Sequence, residues 1–153
     1  MAMAKDFDWN AALRGELGGD AKSNAEWLKG ISEDLDRIVK GRMYVDGDGM
    51  CVRLGEGEEI PEGCEEATMD DYLAENYGVD VTVSLGREPF VKSASVMVAF
   101  GGPNIYIDTG SELVEMYWWT TYACYPLTCE AVSALNDWAQ YCYECCYDNM
   151  MRE

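Results

Sequence analysis

Strict alternation of apolar and polar residues runs through Val79-Asp-Val-Thr-Val-Ser-Leu85, which places Val79, Val81, Val83 and Leu85 on one face of a predicted β-strand. Three further strands are predicted downstream, at 95–100, 105–109 and 113–120, after glycine-containing turns at 86–89, 101–104 and 110–111. Because these connections are short, consecutive strands are expected to pair antiparallel, as a meander of four strands.

Two helices flank this predicted sheet. The first is predicted from Ser23 or Asn24 to Lys40, with Gly41 near its C-cap, because apolar residues recur at steps of three and four. Those apolar residues are Trp27, Leu28, Ile31, Leu35, Ile38 and Val39, whereas Glu26, Lys29, Glu33, Asp34, Arg37 and Lys40 occupy the other side. Phe7, Trp9, Leu13 and Leu17 indicate a short helical or irregular entry segment before it.

A long C-terminal helix is predicted from an N-cap at Thr128 to about Asn149. Its apolar stripe comprises Val132, Leu135, Trp138, Ala139, Cys142, Cys145 and Cys146. We therefore expect an α+β fold, in which an antiparallel meander sheet of about four to six strands has an N-terminal and a long C-terminal helix packed on it. Since the sequence has no repeat and no linker, residues 1–153 are expected to form one domain.

The segment between the first helix and the sheet has strong local signals. A hairpin is predicted over Met43–Leu54, with a turn at Asp46-Gly-Asp-Gly49. The same run lacks calcium-loop ligands, because Met50 stands at the fifth position and Gly57 at the twelfth. Residues 55–67 are predicted to form a loop. A capping box at Thr68-Met-Asp-Asp71 then opens a short helix that ends at Tyr77, before Gly78.

Composition limits the classes of function. The chain has 153 residues, 48% of them apolar, and a net charge of −18, so its acidity belongs to a folded body. The absence of histidine removes the usual general base and most catalytic zinc sites. Seven cysteines without an export signal indicate reduced thiols in a cytoplasmic protein. No apolar run approaches the ~20 residues of a membrane helix.

Negative charge is concentrated between Asp46 and Asp80. Twelve acids stand there against one base, Arg53, for a local net charge of −11. The twelve are Asp46, Asp48, Glu56, Glu58, Glu59, Glu62, Glu65, Glu66, Asp70, Asp71, Glu75 and Asp80. A surface of this sign repels nucleic acid and anionic membrane and attracts basic proteins or cations.

The sequence supports a metal site or an enzyme less well than it supports a charged surface for a basic partner. Cys124, Cys129, Cys142 and Cys145 have spacings that a zinc site could use, but the strong helix pattern favours buried thiols. The acidic pairs Glu58/Glu59, Glu65/Glu66 and Asp70/Asp71 could bind a divalent ion or work as acid and base, yet so many carboxylates in a glycine-rich loop indicate solvated groups. We expect no catalytic residue, no metal and no cofactor.

Aromatic residues offer a second surface. Alternation places Val114, Met116 and Trp118 on one face of a strand and Tyr117 and Trp119 on the other. The second face is either an exposed aromatic surface that contacts a protein partner or a face covered by a helix or by a second copy in a homodimer. Direct nucleic-acid binding is rejected, since residues 103–153 contain eight acids and one base.

The acidic segment has a charge spacing comparable with DNA. B-DNA presents one negative charge per ~1.7 Å of axis. Carboxylates at i and i+4 on a helix lie about 5–6 Å apart, and alternate strand residues lie roughly 6.6–6.8 Å apart. A protein that reads DNA with arginines and lysines could therefore be captured by such an array.

In size, charge, lack of catalytic tools and the acidic run from Glu56 to Glu75, the chain resembles the small acidic anti-defence proteins of phages and mobile elements, the anti-CRISPR and anti-restriction class. The stretches Gly101-Gly-Pro-Asn-Ile-Tyr-Ile-Asp-Thr109 and Tyr117-Trp-Trp119 look like hypothetical proteins carried by such elements. The resemblance implies an inhibitor that occupies the DNA-binding cleft of a nuclease, for instance the arginine-lined site that reads the short motif flanking a target.

The expected function is therefore inhibition of an RNA-guided or restriction nuclease by mimicry of DNA phosphate charge. The expected partner-binding residues are eleven of the acids named above, all except Asp80, together with Tyr117 and Trp119. The alternative is an acidic protein–protein interaction module that binds through Tyr117, Trp118 and Trp119 without mimicry.

Overall fold

The computed structural model describes residues 21–77, 80–87, 90–100, 103–118 and 121–151. Three helices are formed by Ala21–Val39 (α1), Met69–Tyr77 (α2) and Cys129–Met151 (α3). Eight strands are formed by Met43–Val45 (β1), Cys51–Arg53 (β2), Glu65–Glu66 (β3), Asp80–Leu85 (β4), Val91–Ala99 (β5), Asn104–Asp108 (β6), Leu113–Trp118 (β7) and Thr121–Pro126 (β8). The predicted entry segment around Phe7 and Leu17 lies outside the described residues.

The main sheet is an antiparallel meander in the order β4-β5-β6-β7-β8, which confirms the predicted fold class. Its five strands lie within the predicted four to six, although the fifth, Thr121–Pro126 beside β7, is not among the four strands predicted individually. Strand β5 also begins at Val91, four residues before its predicted start, since the polar residues Lys92 and Ser93 hide the alternation there. A register shift after Ser84 leaves Leu85 exposed, although Leu85 was predicted to share a face with Val81 and Val83.

Both long helices cover one face of this sheet. Helix α1 packs on β7 and β8, and helix α3 packs on β4 and β5. The row of paired residues beneath them is Val81, Val96, Ile107, Val114 and Tyr125. Leu28 and Leu35 of α1 and Leu135 of α3 are fully buried against this face. The hydrophobic core therefore lies between the helices and one side of the sheet.

Glycine ends helix α1 as predicted. Gly41 has a φ of 70°, and its N–H donates to the Ile38 carbonyl at 3.2 Å. The next N–H, from Arg42, donates to the Arg37 carbonyl at 2.8 Å. These two bonds form a Schellman motif, which directs the chain into β1. At its other end the helix begins at Ala21, two to three residues before the predicted N-terminus.

A second sheet, in the order β2-β1-β3, lies beside the main one. The hairpin of β1 and β2 confirms the prediction for Met43–Leu54. Strand β3 was not predicted, because its two residues, Glu65 and Glu66, lie within an otherwise irregular loop. Met43, Ala67 and Leu73 join the core cluster of the main sheet, so the acidic segment is anchored to the body of the protein. Among the described residues, no helix has the length and hydropathy that crossing a bilayer requires.

Candidate partner-binding surface

The acidic segment begins with a turn that Asp46 holds together. Its Oδ1 accepts hydrogen bonds from the N–H groups of Asp48 at 2.9 Å and Met50 at 3.0 Å. Gly49 within this turn has a φ of 79°, which favours glycine. The carboxylate thus stabilises the hairpin turn. In the described ranges of the chain, no three or more Cys, Asp or Glu side chains are arranged to hold a metal ion.

The short helix α2 is fixed at both its start and its side. The Thr68 N–H donates to Asp71 Oδ2 at 2.8 Å, and the Asp71 N–H donates to Thr68 Oγ1 at 3.1 Å, which confirms the predicted capping box. Asp70 Oδ1 accepts a hydrogen bond from Trp138 Nε1 of α3 at 3.2 Å. Helix α2 therefore has little freedom to turn relative to α3.

Two glutamates of the loop that follows β2 also have partners. Glu58 Oε2 accepts the Gly55 N–H at 3.0 Å, and Glu56 forms an ion pair with Arg42 at 3.4 Å. The Glu56 side chain is almost fully exposed, so this pair contributes little to stability. Both contacts nevertheless restrict the loop that leaves β2.

Five exposed acids between positions 48 and 66 form no ion pair or hydrogen bond with another described residue through their carboxylates: Asp48, Glu59, Glu62, Glu65 and Glu66. We use the name acidic face for this set, in which the consecutive β3 residues Glu65 and Glu66 direct their side chains to opposite sides of the small sheet. Met50 and Ile60 lie between them in sequence and are 62% and 58% exposed. Charged groups interspersed with exposed apolar side chains are typical of surfaces that bind a protein partner.

The single base of the segment, Arg53, pairs with an acid of α1. Arg53 donates from Nε and Nη2 to the two carboxylate oxygens of Asp34, at 2.6 and 2.7 Å. Asp34 also accepts hydrogen bonds from Arg37 at 3.1 Å and from the Tyr72 hydroxyl at 2.9 Å. Arg53 is therefore neutralised by an acid of α1, and the charge of the acidic face is left uncompensated by it.

Asp34 is a functional residue that sequence reasoning placed wrongly. It was expected on the polar side of α1, whereas only 4% of it is exposed. Ile31, Asp34 and Ile38 are separated by steps of three and four residues, so the helical spacing already contained this signal. A buried carboxylate needs cationic or hydroxyl partners, and Arg53, Arg37 and Tyr72 supply them.

The remaining acids of the segment are more dispersed. Asp80 is exposed at the start of β4, on the main sheet and not on the small one. Glu75 belongs to α2. The structure thus gathers most of the segment's acids around the small sheet and α2, and it separates Asp80 from them.

The predicted alternation of buried and outward-facing residues along β7 is confirmed where the structure describes it. Val114 and Met116 are fully buried under the helices, and Tyr117 on the opposite face is 43% exposed. Trp119 lies outside the described residues, and Trp118 is the last residue of β7. Tyr117 is therefore the predicted aromatic contact residue that the structure places on an open surface.

Beneath Tyr117 lies an acid that sequence reasoning did not single out. Glu115 is only 9% exposed and accepts hydrogen bonds from the hydroxyl groups of Ser111 at 2.8 Å, Tyr117 at 2.7 Å and Tyr122 at 2.9 Å. Burial, and next the hydrogen bond to Glu115, raise the pKa of Tyr117 to about 12 and raise the pKa of Tyr122 as well. Both phenols are therefore protonated donors at neutral pH.

The cysteine predictions need correction. Cys145 and Cys146 were placed on the buried stripe of the C-terminal helix, but both are exposed, and so is Cys129. The buried line of α3 is Ala131, Leu135 and Ala139, and the packed positions end near Tyr143, so the later cysteines have no cover. Cys124 is buried and Cys142 is half-buried, and burial raises the pKa of the Cys142 thiol.

A cleft of about 500 Å³ lies between the second half of α1, residues 54–56 and residues 125–128. Its charged lining is balanced, with three cations and three carboxylates: Arg37, Lys40, Arg42, Glu33, Asp36 and Glu56. Lys40 pairs with Asp36 at 2.7 Å and Arg42 pairs with Glu56. The charges that line the cleft therefore balance, so it offers no net charge to a ligand.

Comparisons of the chain with protein-family models, with curated proteins and with solved structures found no match.

Proposed function

We propose that this protein is an acidic inhibitor that occupies the DNA-binding cleft of a host nuclease, either an RNA-guided or a restriction enzyme, in the cytoplasm of a bacterial cell. Its carboxylates take the place of DNA phosphates, and it acts without catalysis, metal or cofactor. The observation that carries the proposal is the acidic face, where five exposed carboxylates have no partner among the described residues and stand on a framework held by hydrogen bonds.

A fixed framework favours mimicry over a solubilising role. A flexible acidic tail must lose conformational entropy when it binds, at a cost of about 1–2 kcal/mol for each ordered backbone residue. Here the turn at Asp46, the capping box at Thr68 and Asp71, and the pair of Arg53 with Asp34 already order the segment. Less of the binding energy is then spent on ordering it.

The location of the bases supports the same proposal. Lys29, Lys40 and Arg42 each form an ion pair, with Glu33, Asp36 and Glu56. The first two pairs lie within or at the end of α1, whereas the third joins Arg42 to Glu56 of the acidic segment. Residues 46–80 nevertheless hold twelve acids and one base, so the net charge of −18 is distributed unevenly. An uneven field orients an approaching basic partner and accelerates its association.

Exposed Met50 and Ile60 add apolar contact area, which the carboxylates cannot supply. Exposed ion pairs contribute little affinity, whereas apolar side chains that become desolvated at the centre of an interface contribute much of it. Their position among the acids of the hairpin turn and loop means that one partner surface could contact both kinds of group. We therefore assign electrostatic steering to the carboxylates and part of the retained affinity to these two side chains.

The second candidate function is a protein–protein interaction module that binds through the open face of the main sheet without mimicry. The exposure of Tyr117 favours it. The two candidates differ in their salt dependence, because association driven by carboxylates weakens as salt is added, whereas aromatic contacts are far less sensitive.

The test is affinity capture from bacterial lysate followed by competition. The captured protein is purified, and its binding to the inhibitor is measured with increasing duplex DNA and with increasing salt. Mimicry predicts a nucleic-acid-binding partner that DNA displaces competitively, with affinity that falls as salt rises. A partner that binds the inhibitor and DNA at the same time, with affinity independent of salt, would contradict mimicry and support the second candidate.

A further inference from the structure

The face of the main sheet opposite the helices has an unusual composition. One row of directly paired residues crosses all five strands: Asp80, Met97, Tyr106, Glu115 and Cys124. The adjacent row contains Asn104, Tyr117 and Tyr122. We call Tyr106, Tyr117, Tyr122 and Glu115 the tyrosine cluster. The described helices all lie on the other side, against Val96, Ile107 and Val114.

The rings of the cluster stand close together above the buried acid. The centroids of Tyr106 and Tyr117 are 6.1 Å apart in an edge-to-face arrangement, and those of Tyr117 and Tyr122 are 5.1 Å apart. Tyr117 and Tyr122 both donate to Oε2 of Glu115, at 2.7 and 2.9 Å. Among the described residues, no Lys or Arg forms an ion pair with Glu115, so hydroxyl groups alone stabilise its charge.

This arrangement makes the open face attractive to a cation. The face of an aromatic ring is negative, and a guanidinium group within about 6 Å of a ring centroid is attracted to it. Hydrogen bonds from the phenol hydroxyls to a carboxylate add electron density to the rings and so strengthen that attraction.

Charge complementarity specifies the kind of partner. The described positions of this face include the acids Asp80, Asp108 and Glu115, and the paired rows that contain them hold neither Lys nor Arg. A second copy of the chain would place the same acids against these and would bring together two bodies of charge −18. Arginine suits the cluster better than lysine, because its planar guanidinium stacks on aromatic rings and loses less hydration.

We infer that the tyrosine cluster is a docking site for an arginine-bearing segment of a protein partner, with the guanidinium group against the rings of Tyr117 and its neighbours and above the carboxylate of Glu115. The inference goes beyond nuclease inhibition, since it requires neither DNA mimicry nor the acidic face. It stands or fails independently of that proposal.

The experiment is an NMR titration of the intact protein, observed at the tyrosine ring signals. The probe is a five-residue peptide of alternating glycine and arginine, capped at both ends, and the control is the same peptide with citrulline, which is isosteric and uncharged. We expect the arginine peptide to shift the ring signals of Tyr106, Tyr117 and Tyr122 saturably, and the citrulline peptide to leave them unchanged. Replacing the five carboxylates of the acidic face with amides should leave these peptide-induced shifts of the ring signals unchanged.

Variants of the cluster locate the site. Tyr117→Ala should weaken the affinity measured at the remaining ring signals about two- to fivefold, the range expected for one exposed cation–π contact. Tyr117→Phe keeps the ring but loses the hydroxyl, and should weaken it less. Thermal unfolding is recorded for each variant to verify that it folds, and the two Tyr117 variants decide the outcome.

Three results would overturn the inference. The first is ring signals that do not respond to the arginine peptide. The second is an equal response to the citrulline peptide, which would show that charge is not recognised. The third is ring signals that change with protein concentration in the absence of peptide, which would show that a second copy of the chain occupies the face.

Discussion

The guanidinium of Arg53 and the carboxylate of Asp34 form a two-point hydrogen-bonded pair, with N···O distances of 2.6 and 2.7 Å. Arg53 belongs to β2 of the acidic segment, and Asp34 belongs to α1. Since Tyr72 of α2 donates to the same carboxylate, one buried acid joins the helix, the hairpin and the short acidic helix. The surface that we assign to partner binding is thus positioned by a charge that lies beneath it.

This pair should make a measurable contribution to stability. Arg53→Ala is expected to lower the free energy of unfolding by about 1–3 kcal/mol, less than a fully buried pair would, because the Arg53 side chain is half-exposed and Arg37 and Tyr72 still contact Asp34. Urea denaturation measures this change. The control is Lys29→Ala, which breaks an exposed pair with Glu33 and should cost less than about 1 kcal/mol. Equal effects of the two variants would show that Arg53 does not anchor the segment.

The capping box should stabilise α2 in the same assay. Thr68→Ala removes the hydroxyl that accepts the Asp71 N–H, and it is expected to cost about 1 kcal/mol. Ser133→Ala is the control, because Ser133 is exposed within α3 and alanine favours helices. A Thr68 variant as stable as the wild type would contradict the assigned cap.

Alanine substitutions at Gly30, within α1, and at Gly41, at its C-terminal end, should change the free energy of unfolding in opposite directions. Gly41→Ala is expected to destabilise by about 1–2 kcal/mol, because the residue has a φ of 70° and an added Cβ would lie 3.2 Å from Glu66 Oε1. Gly30→Ala is expected to stabilise by about 0.5–1 kcal/mol, since it lies within α1 and an added Cβ meets nothing within 4 Å. Thermal or urea unfolding of the two variants tests the pair, and changes of the same sign would contradict the helix end at Gly41.

The raised pKa of Tyr117 predicts a loss of stability in alkali. Its pKa of about 12 lies above the ordinary value of 10.0, so its contribution to stability is complete below pH 10 and is lost as the pH rises from 10 to about 12. Ultraviolet titration of phenolate should show a late-titrating tyrosine in the folded protein. Glu115→Gln should lower that pKa, because it removes the hydrogen-bonding carboxylate, whereas Glu112→Gln, on an exposed neighbour, should not. Identical titrations of the two variants would exclude Glu115 as a cause.

Local signals in the sequence predicted local features well. The C-cap at Gly41, the box at Thr68 and Asp71 and the N-cap at Thr128 follow from side-chain chemistry within a few residues, and each is present. Alternation predicted the meander, but it missed β8, where Thr121–Pro126 ends at a proline and is stabilised by pairing with β7.

Non-local features could not be derived in the same way. Helical spacing alone could have placed Asp34 on the buried side, but its three partners come from α1, β2 and α2, and those elements meet only in the folded protein. The tyrosine cluster depends on the register of β6, β7 and β8, which sets Tyr106 opposite Glu115 and Tyr117 opposite Tyr122. The exposure of Cys145 depends on where α3 extends past its packing partners.

The central claim is that the position of the carboxylates, and not their number, causes inhibition. Two variants with the same net charge test it. The first replaces the acidic face, as Asp48→Asn with Glu59→Gln, Glu62→Gln, Glu65→Gln and Glu66→Gln. The second replaces five exposed acids elsewhere, as Glu26→Gln, Glu112→Gln, Glu130→Gln, Asp137→Asn and Glu144→Gln. Each substitution set removes five charges and changes the net charge from −18 to −13.

The measurement is the inhibition constant of each variant against the captured nuclease in a DNA-cleavage assay at fixed salt, with thermal unfolding to verify that both variants fold. We predict that the acidic-face variant loses inhibition by about 100-fold or more, given roughly 0.5–1 kcal/mol for each carboxylate that contacts a base. The second variant should lose less than about tenfold, through the weakened long-range field alone. Equal losses in the two folded variants, or full inhibition by the acidic-face variant, would contradict mimicry of DNA by this surface.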